Sequence, residues 1–261
     1  MGRNGAILAI GAVGLGLIGL IFGDFALQWQ PVPQGIPARR ALALVSGGAL
    51  LAAGLALFWR RSATAGALAL AVMYGLWSVV LKGPNLVARP LEVISWLAFT
   101  ETLAMSMGAL TLAALTLPEG ALRSRIELAA RTAFGVCPVV FGVAHFAYAG
   151  FTAAMVPAWI PPGGMFWAYA TGVAHIAGGL AILGRVQARL AAALLAAMYG
   201  GFALLLHAPR VAAAPTAHIE WIMLAIATSL SGAAWAIRAG MDPAASPWGF
   251  LDRRARAAAA A

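Results

Sequence analysis

Charge is scarce in this sequence. Only 10% of its 261 residues are Asp, Glu, Lys or Arg, and just eight are acidic. A water-soluble domain carries charge on about a quarter of its residues, so water cannot be the solvent of most of this chain. Cysteine is rarer still. Cys137 stands alone, which excludes an intrachain disulfide and a Cys-x-x-Cys redox pair and leaves a small packed residue in a helix. Alternating apolar–polar stretches are missing, which argues against a transmembrane barrel. Histidine occurs only four times, always in the second half of the chain.

What is present is apolar sequence: 62% of residues are hydrophobic, and the mean hydropathy is +0.89. A bilayer core of about 30 Å needs roughly 20 apolar residues per helix. Runs of that length, rich in Ala, Leu and Gly, recur between short stretches holding Arg, Pro and Gly. The expected fold is all-α, a polytopic membrane protein with eight transmembrane helices arranged as two parallel four-helix repeats. The spans fall near 6–29, 41–59, 64–81, 91–116, 132–151, 166–184, 190–207 and 218–238. The first run follows Arg3 and is too long for the apolar region of a signal peptide, so it reads as a retained helix. The lipid bilayer is therefore the principal partner. The net charge of +9 does not indicate nucleic acid, because the basic residues punctuate the apolar runs rather than forming one patch.

Eight spans put both termini on one side. That side collects Arg3, Arg60, Arg61, Arg123, Arg125, Arg131, Arg185, Arg189, Arg238, Arg253, Arg254 and Arg256, against Arg39, Arg40, Lys82, Arg89 and Arg210 on the other. The positive-inside rule then makes both termini cytoplasmic, in what reads as a bacterial inner (plasma) membrane. Duplication is written in the chain. Met73-Tyr74-Gly75 recurs as Met198-Tyr199-Gly200, and the same shift carries Pro84, Pro90 and Trp96 onto Pro209, Pro215 and Trp221. Units with an even number of spans are parallel repeats. The division is residues 1–117 for the first repeat, 118–131 for a cytoplasmic linker, 132–240 for the second repeat and 241–261 for a tail. The tail, with Trp248 and Phe250 among its arginines, reads as interfacial.

Ionisable side chains inside a membrane need a partner or a task. His145, His175, His207 and His218 fall one per helix in the second repeat, all toward the outer side. His145 lies about 9 Å from the end of its span at 1.5 Å per residue. One bundle can therefore hold all four in a layer, with Glu220 placed to orient an imidazole and Trp221 to wall a pocket. Such a layer suits a metal, a haem, or a quinone whose carbonyls receive hydrogen bonds and whose protons are relayed. It equally suits histidines that bond one another to specify packing. In the first repeat Asp24 and Lys82 take the places of His145 and His207, which suggests an ion pair. Glu101, near mid-membrane, reads either as a proton-relay carboxyl or as a neutral hydrogen-bonded one. Trp29, Trp96, Trp159, Trp167 and Trp221 fall near the outer boundary, where interfacial anchoring is the default.

The runs Phe141-Gly142-Val143-Ala144-His145-Phe146, Val156-Pro157-Ala158-Trp159-Ile160-Pro161 and Leu206-His207-Ala208-Pro209-Arg210 resemble the DoxX-like membrane family. The resemblance covers about residues 135–238, with the first repeat a weaker copy that keeps Phe22-Gly23 and Val32-Pro33. That family is similar to the membrane subunit of thiosulfate:quinone oxidoreductase. The resemblance implies a quinone-facing redox role at His145 and His207, with a soluble or membrane redox partner, since Cys137 alone performs no dithiol chemistry. The expected function is a membrane component of a quinone-linked redox system. A non-enzymatic carrier or assembly protein, and a haem or metal protein, are the alternatives.

Overall fold

A computed structural model describes residues 5–241. Arg3 and the interfacial reading of the tail beyond Met241 lie outside the described residues. Within them the chain is helical, with no strand. The helices are α1 (Ala6–Phe22), α2 (Arg39–Ala56), α3 (Ala63–Ala88), α4 (Val93–Ala114), α5 (Ala121–Ala147), short α6 (Ala149–Met155), α7 (Gly164–Leu183), α8 (Ala188–Ala213) and α9 (His218–Ala239). Seven of these are long and apolar enough to cross a membrane, as a polytopic membrane protein requires; α1 is a shorter apolar helix of 17 residues.

Several boundaries differ from the sequence expectation, each for a local reason. The first span was expected to reach residue 29, but Gly23 turns left-handed at φ 63° and ends α1 at Phe22. A short 3₁₀ turn, Leu27–Trp29, follows, as a glycine in that conformation allows. The stretch 118–131, expected as a linker, is mostly helix, because α5 begins at Ala121 and ties Arg123 to Glu127 one turn on at 2.8 Å. Helices α3 and α8 run past the expected ends at 81 and 207. Each passes a proline, Pro84 or Pro209, by widening into a π-helical stretch just before it, Trp77–Lys82 and Phe202–His207. A proline inside an α-helix removes one N–H and crowds the preceding turn. The wider π turn absorbs that misfit.

The helices do not separate into two self-contained bundles. Each packs on its chain neighbour, but α1 leans on α9 and α5 on α4, so the first helix of each half meets the last helix of the other. Helices α4 and α9 touch across the middle. They are the most enclosed: 67% of the apolar window of α9 and 44% of that of α4 is buried, against 28% for α2 and α7. The α1–α9 seam depends on glycine. A Cβ on Gly232 would sit 2.2 Å from the Leu8 backbone nitrogen. Where lipid supplies no hydrophobic drive between helices, such backbone approach is a main source of packing energy.

The two halves repeat contacts as well as sequence. Besides the paired π stretches, Ser106 Oγ donates to the Ala71 carbonyl at 2.7 Å and Ser231 Oγ to the Ala196 carbonyl at 2.8 Å. Tyr74 and Tyr199 are both buried without a hydroxyl partner. Asn85 Nδ2 donates to Ser95 Oγ at 2.9 Å; at the matching places Arg210 grips Glu220. The indole N–H groups of Trp96, Trp167 and Trp221 each donate to a proline carbonyl six residues upstream, those of Pro90, Pro161 and Pro215. These exposed rings clasp the loops leading into α4, α7 and α9, and they mark one end of the helix array.

Candidate functional site

Near the tryptophan end, α5, α7 and α8 bring two of the four histidines together. The His145 and His175 rings lie with centroids 4.6 Å apart. His145 Nδ1 faces the Phe141 carbonyl at 2.7 Å, and His175 Nδ1 faces the Thr171 carbonyl at 2.7 Å. A carbonyl oxygen only accepts, so in both neutral rings Nδ1 carries the proton and Nε2 presents its lone pair. Neither Nε2 has a hydrogen-bond partner among the described residues. The sequence expectation that neutral imidazoles donate to a quinone carbonyl therefore reverses: these rings accept at Nε2, and donate there only when protonated.

The surroundings are aromatic. Phe141 meets His175 edge-on at 5.8 Å, Tyr199 lies 5.5 Å from His175, and Phe202 lies 6.0 Å from His175 and 6.5 Å from His145. His175 is buried, whereas His145 is half-buried beside the lipid-facing Val143 and Phe146. The pair thus joins the protein interior to the bilayer face of α5. Tyr199 and Phe202 were not singled out by sequence reasoning. Tyr199 belongs to the recurring Met-Tyr-Gly signature, and Phe202 follows it three residues later, one helical turn away.

Gly172 makes the approach of α7 to His145 feasible, since a Cβ there would fall 3.1 Å from the His145 Cβ. Gly172→Val is expected to push the rings apart while leaving the rest of the fold intact. The check is imidazole chemical shifts: those of His145 and His175 should move, and those of His218 should not.

No protein-family model matches the chain, and neither a curated protein nor a solved structure matches it.

The expected layer of four histidines does not converge. His218 stacks on Phe22 of α1, with ring centroids 4.2 Å apart and planes 13° from parallel; it faces the first half because α9 packs on α1. His207 closes the π stretch of α8 and is buried with Nδ1 unpartnered. Glu220 makes no hydrogen bond to an imidazole among the described residues; its two oxygens accept from Arg210, at 2.7 and 2.8 Å. Trp221, expected to wall a pocket, has its N–H committed to Pro215. Among the described residues no group of three or more His, Cys, Asp or Glu is arranged to hold a metal. A metal between two axial imidazoles, about 2 Å from each nitrogen, holds the ring centres roughly 6 Å apart. His145 and His175 instead touch directly, so a haem does not fit between them.

The Arg210–Glu220 pair replaces the neutral Asn85–Ser95 pair of the first half. The double variant Arg210→Asn with Glu220→Ser is expected to stay within about 1 kcal/mol of the parent, as for partly exposed ion pairs. Arg210→Asn alone strands the buried Glu220 and should cost more, on the order of 3 kcal/mol. A double-mutant cycle by detergent denaturation measures the coupling.

In the first half, Asp24 does not pair with Lys82. It binds the Arg39 guanidinium and accepts from the Phe25 N–H. Lys82 is buried and donates to the Ala98 carbonyl at 2.7 Å, with Glu101 one turn further along α4. Lys82 and Glu101 form no ion pair within 4 Å; the four ion pairs among the described residues lie elsewhere. Trp29 is not an interfacial anchor: it is buried, and its indole N–H has no hydrogen-bond partner among the described residues.

Proposed function

We propose that this chain is a membrane component of a quinone-linked redox system and that His145 and His175 hold the quinol. The observation that carries the reading is the pair itself: two touching imidazoles, each with Nδ1 fixed on the backbone and Nε2 without a hydrogen-bond partner among the described residues, His175 buried in an aromatic wall and His145 half-exposed at the bilayer face. A bound quinone–quinol couple supplies two-electron, two-proton exchange with a soluble or membrane redox partner. The protein's part is placement and proton handling. Each Nε2 accepts a hydroxyl hydrogen bond and can hold a released proton while Nδ1–H stays anchored. Phe141, Tyr199 and Phe202 keep water away and offer faces for ring stacking.

The same reading takes the chain as an eight-span duplication of a four-helix unit, resembling the DoxX-like family, with both termini cytoplasmic in a bacterial inner membrane. The recurrence of π stretches, serine clasps and tryptophan clasps at matching positions supports the duplication. On this view the second unit kept the histidine site and the first diverged. Lys82 of α3, bonded to the Ala98 carbonyl, and Glu101 one turn further along α4 favour a proton-coupled carrier as the second reading.

A photoreactive quinone analogue added to membranes containing the protein separates the two. Labelling of α5 and α7 peptides, competed by unmodified quinone, is the expected result. Labelling confined to other helices, or unaffected by competitor, overturns the proposal.

A further inference from the structure

Helices α2 and α3 diverge toward the tryptophan end and leave a groove of about 370 Å³ that opens sideways from the protein. Its wall is apolar, built from Leu42, Val45 and Ala49 of α2 and Met73, Trp77 and Val80 of α3. The polar part is a single pair: Gln30 Nε2 donates to Ser46 Oγ at 2.7 Å, which leaves the serine hydroxyl hydrogen with no acceptor. Leu42, Val45, Ser46 and Ala49 form one helical stripe, and Arg39 stands one turn before Leu42 on that same stripe. The Arg39 guanidinium lies 5.2 Å over Phe25, itself a wall of the groove, and its Nε is buried with no partner. Arg40 beside it is exposed and has no carboxylate partner among the described residues.

We infer that this groove holds an acyl chain of an anionic phospholipid whose phosphate sits on Arg40, beside the Asp24-paired Arg39. The chemistry runs in the order a lipid requires. Cationic donors stand at the head of α2, one hydroxyl donor lies about 10 Å below Arg39 at 1.5 Å per residue, and apolar wall continues beneath it. The polar zone on each side of a bilayer core is roughly 5–8 Å thick, so Ser46, about 10 Å below Arg39, falls at the head of the acyl chain, just beneath the ester carbonyls. The unmet serine hydroxyl is the donor that this ligand satisfies. An uncharged lipid would fill the groove but leave Arg40 without an anion, whereas Arg39 is already paired with Asp24. The second half lacks this arrangement: Phe166 and Trp167 occupy the positions of Ala41 and Leu42, and no arginine precedes them in α7.

The test is native mass spectrometry of the full protein released from vesicles of equal phosphatidylglycerol and phosphatidylcholine. Retained phosphatidylglycerol, in preference to phosphatidylcholine, is expected for the parent protein. Ala49→Trp fills the groove from an exposed position and should abolish retention, while Leu44→Trp, exposed on the same helix but outside the groove, should not. Arg40→Gln should weaken the preference about fivefold, the usual effect of one basic residue at an anionic membrane surface. Equal retention of both lipids by the parent, or unchanged phosphatidylglycerol retention in Ala49→Trp, overturns the inference. Quinone retained in place of phospholipid and displaced by Ala49→Trp also overturns it. None of these outcomes depends on the histidine pair.

Discussion

His145→Ala combined with His175→Ala is expected to lower quinone-linked electron transfer by at least about 100-fold, the lower range for loss of a positioned acid–base group. The helical fold should persist, because each histidine hydrogen-bonds only within its own helix, to the carbonyl four residues before it. The single variants should each lose most of the effect, since the two Nε2 atoms serve one ligand and such losses are not additive. His218→Ala is the informative control. That ring stacks on Phe22 across the α1–α9 seam and takes no part in the pair. It should leave the rate unchanged while lowering thermal stability slightly. Turnover in reconstituted vesicles with a short-chain quinol and an artificial electron acceptor reads all four variants. A full rate in the double variant would remove the histidines from the mechanism.

The largest structural effect is expected at the seam between the halves. Gly232→Leu places a branched side chain where a Cβ alone would lie 2.2 Å from the Leu8 nitrogen and 2.5 Å from its Cα. Backbone cannot yield as a flexible side chain can, so α1 must leave α9. The expected cost is about 4 kcal/mol or more, the upper range for a single substitution, seen as a loss of the folded species in mild detergent. Gly48→Leu is its counterpart: nothing lies within 4 Å of a Cβ there, and a lipid-facing leucine should be neutral. The contrast isolates the contact between α1 and α9 from the general effect of a bulkier residue. If both variants behave alike, the seam is not what holds the halves together.

The membrane class and most helices were legible because they depend on local composition, which lipid imposes on every span. The ends of α3 and α8 were less so. The expected spans stopped at 81 and 207, just short of Pro84 and Pro209, and only a π turn, which has no composition signature of its own, lets the helix continue past them. Side-chain partners were hardest to read. Asp24 was assigned to Lys82 by position in the repeat, yet Arg39 reaches it across the loop between α1 and α2, while Lys82 turns to α4. The histidine layer was half legible. Depth along each helix follows from counting residues, which brings His145 and His175 level. The direction of each ring depends on which helix packs where, and α9 facing α1 could not be read from any one segment. Trp29 illustrates the same limit: its place near a span end suggested lipid headgroups, but the turn after Gly23 folds it inward, where it is buried.

The account stands most directly on whether the His145–His175 pair binds a redox-active lipid. The measurement is a reduced-minus-oxidised ultraviolet–visible difference spectrum of the protein in lipid nanodiscs, titrated with quinone, beside the His145→Ala, His175→Ala double variant. The account predicts a saturable quinone signal of one equivalent in the parent protein that is absent from the double variant. A signal of equal size in both, or none in the parent at saturating quinone, would contradict it.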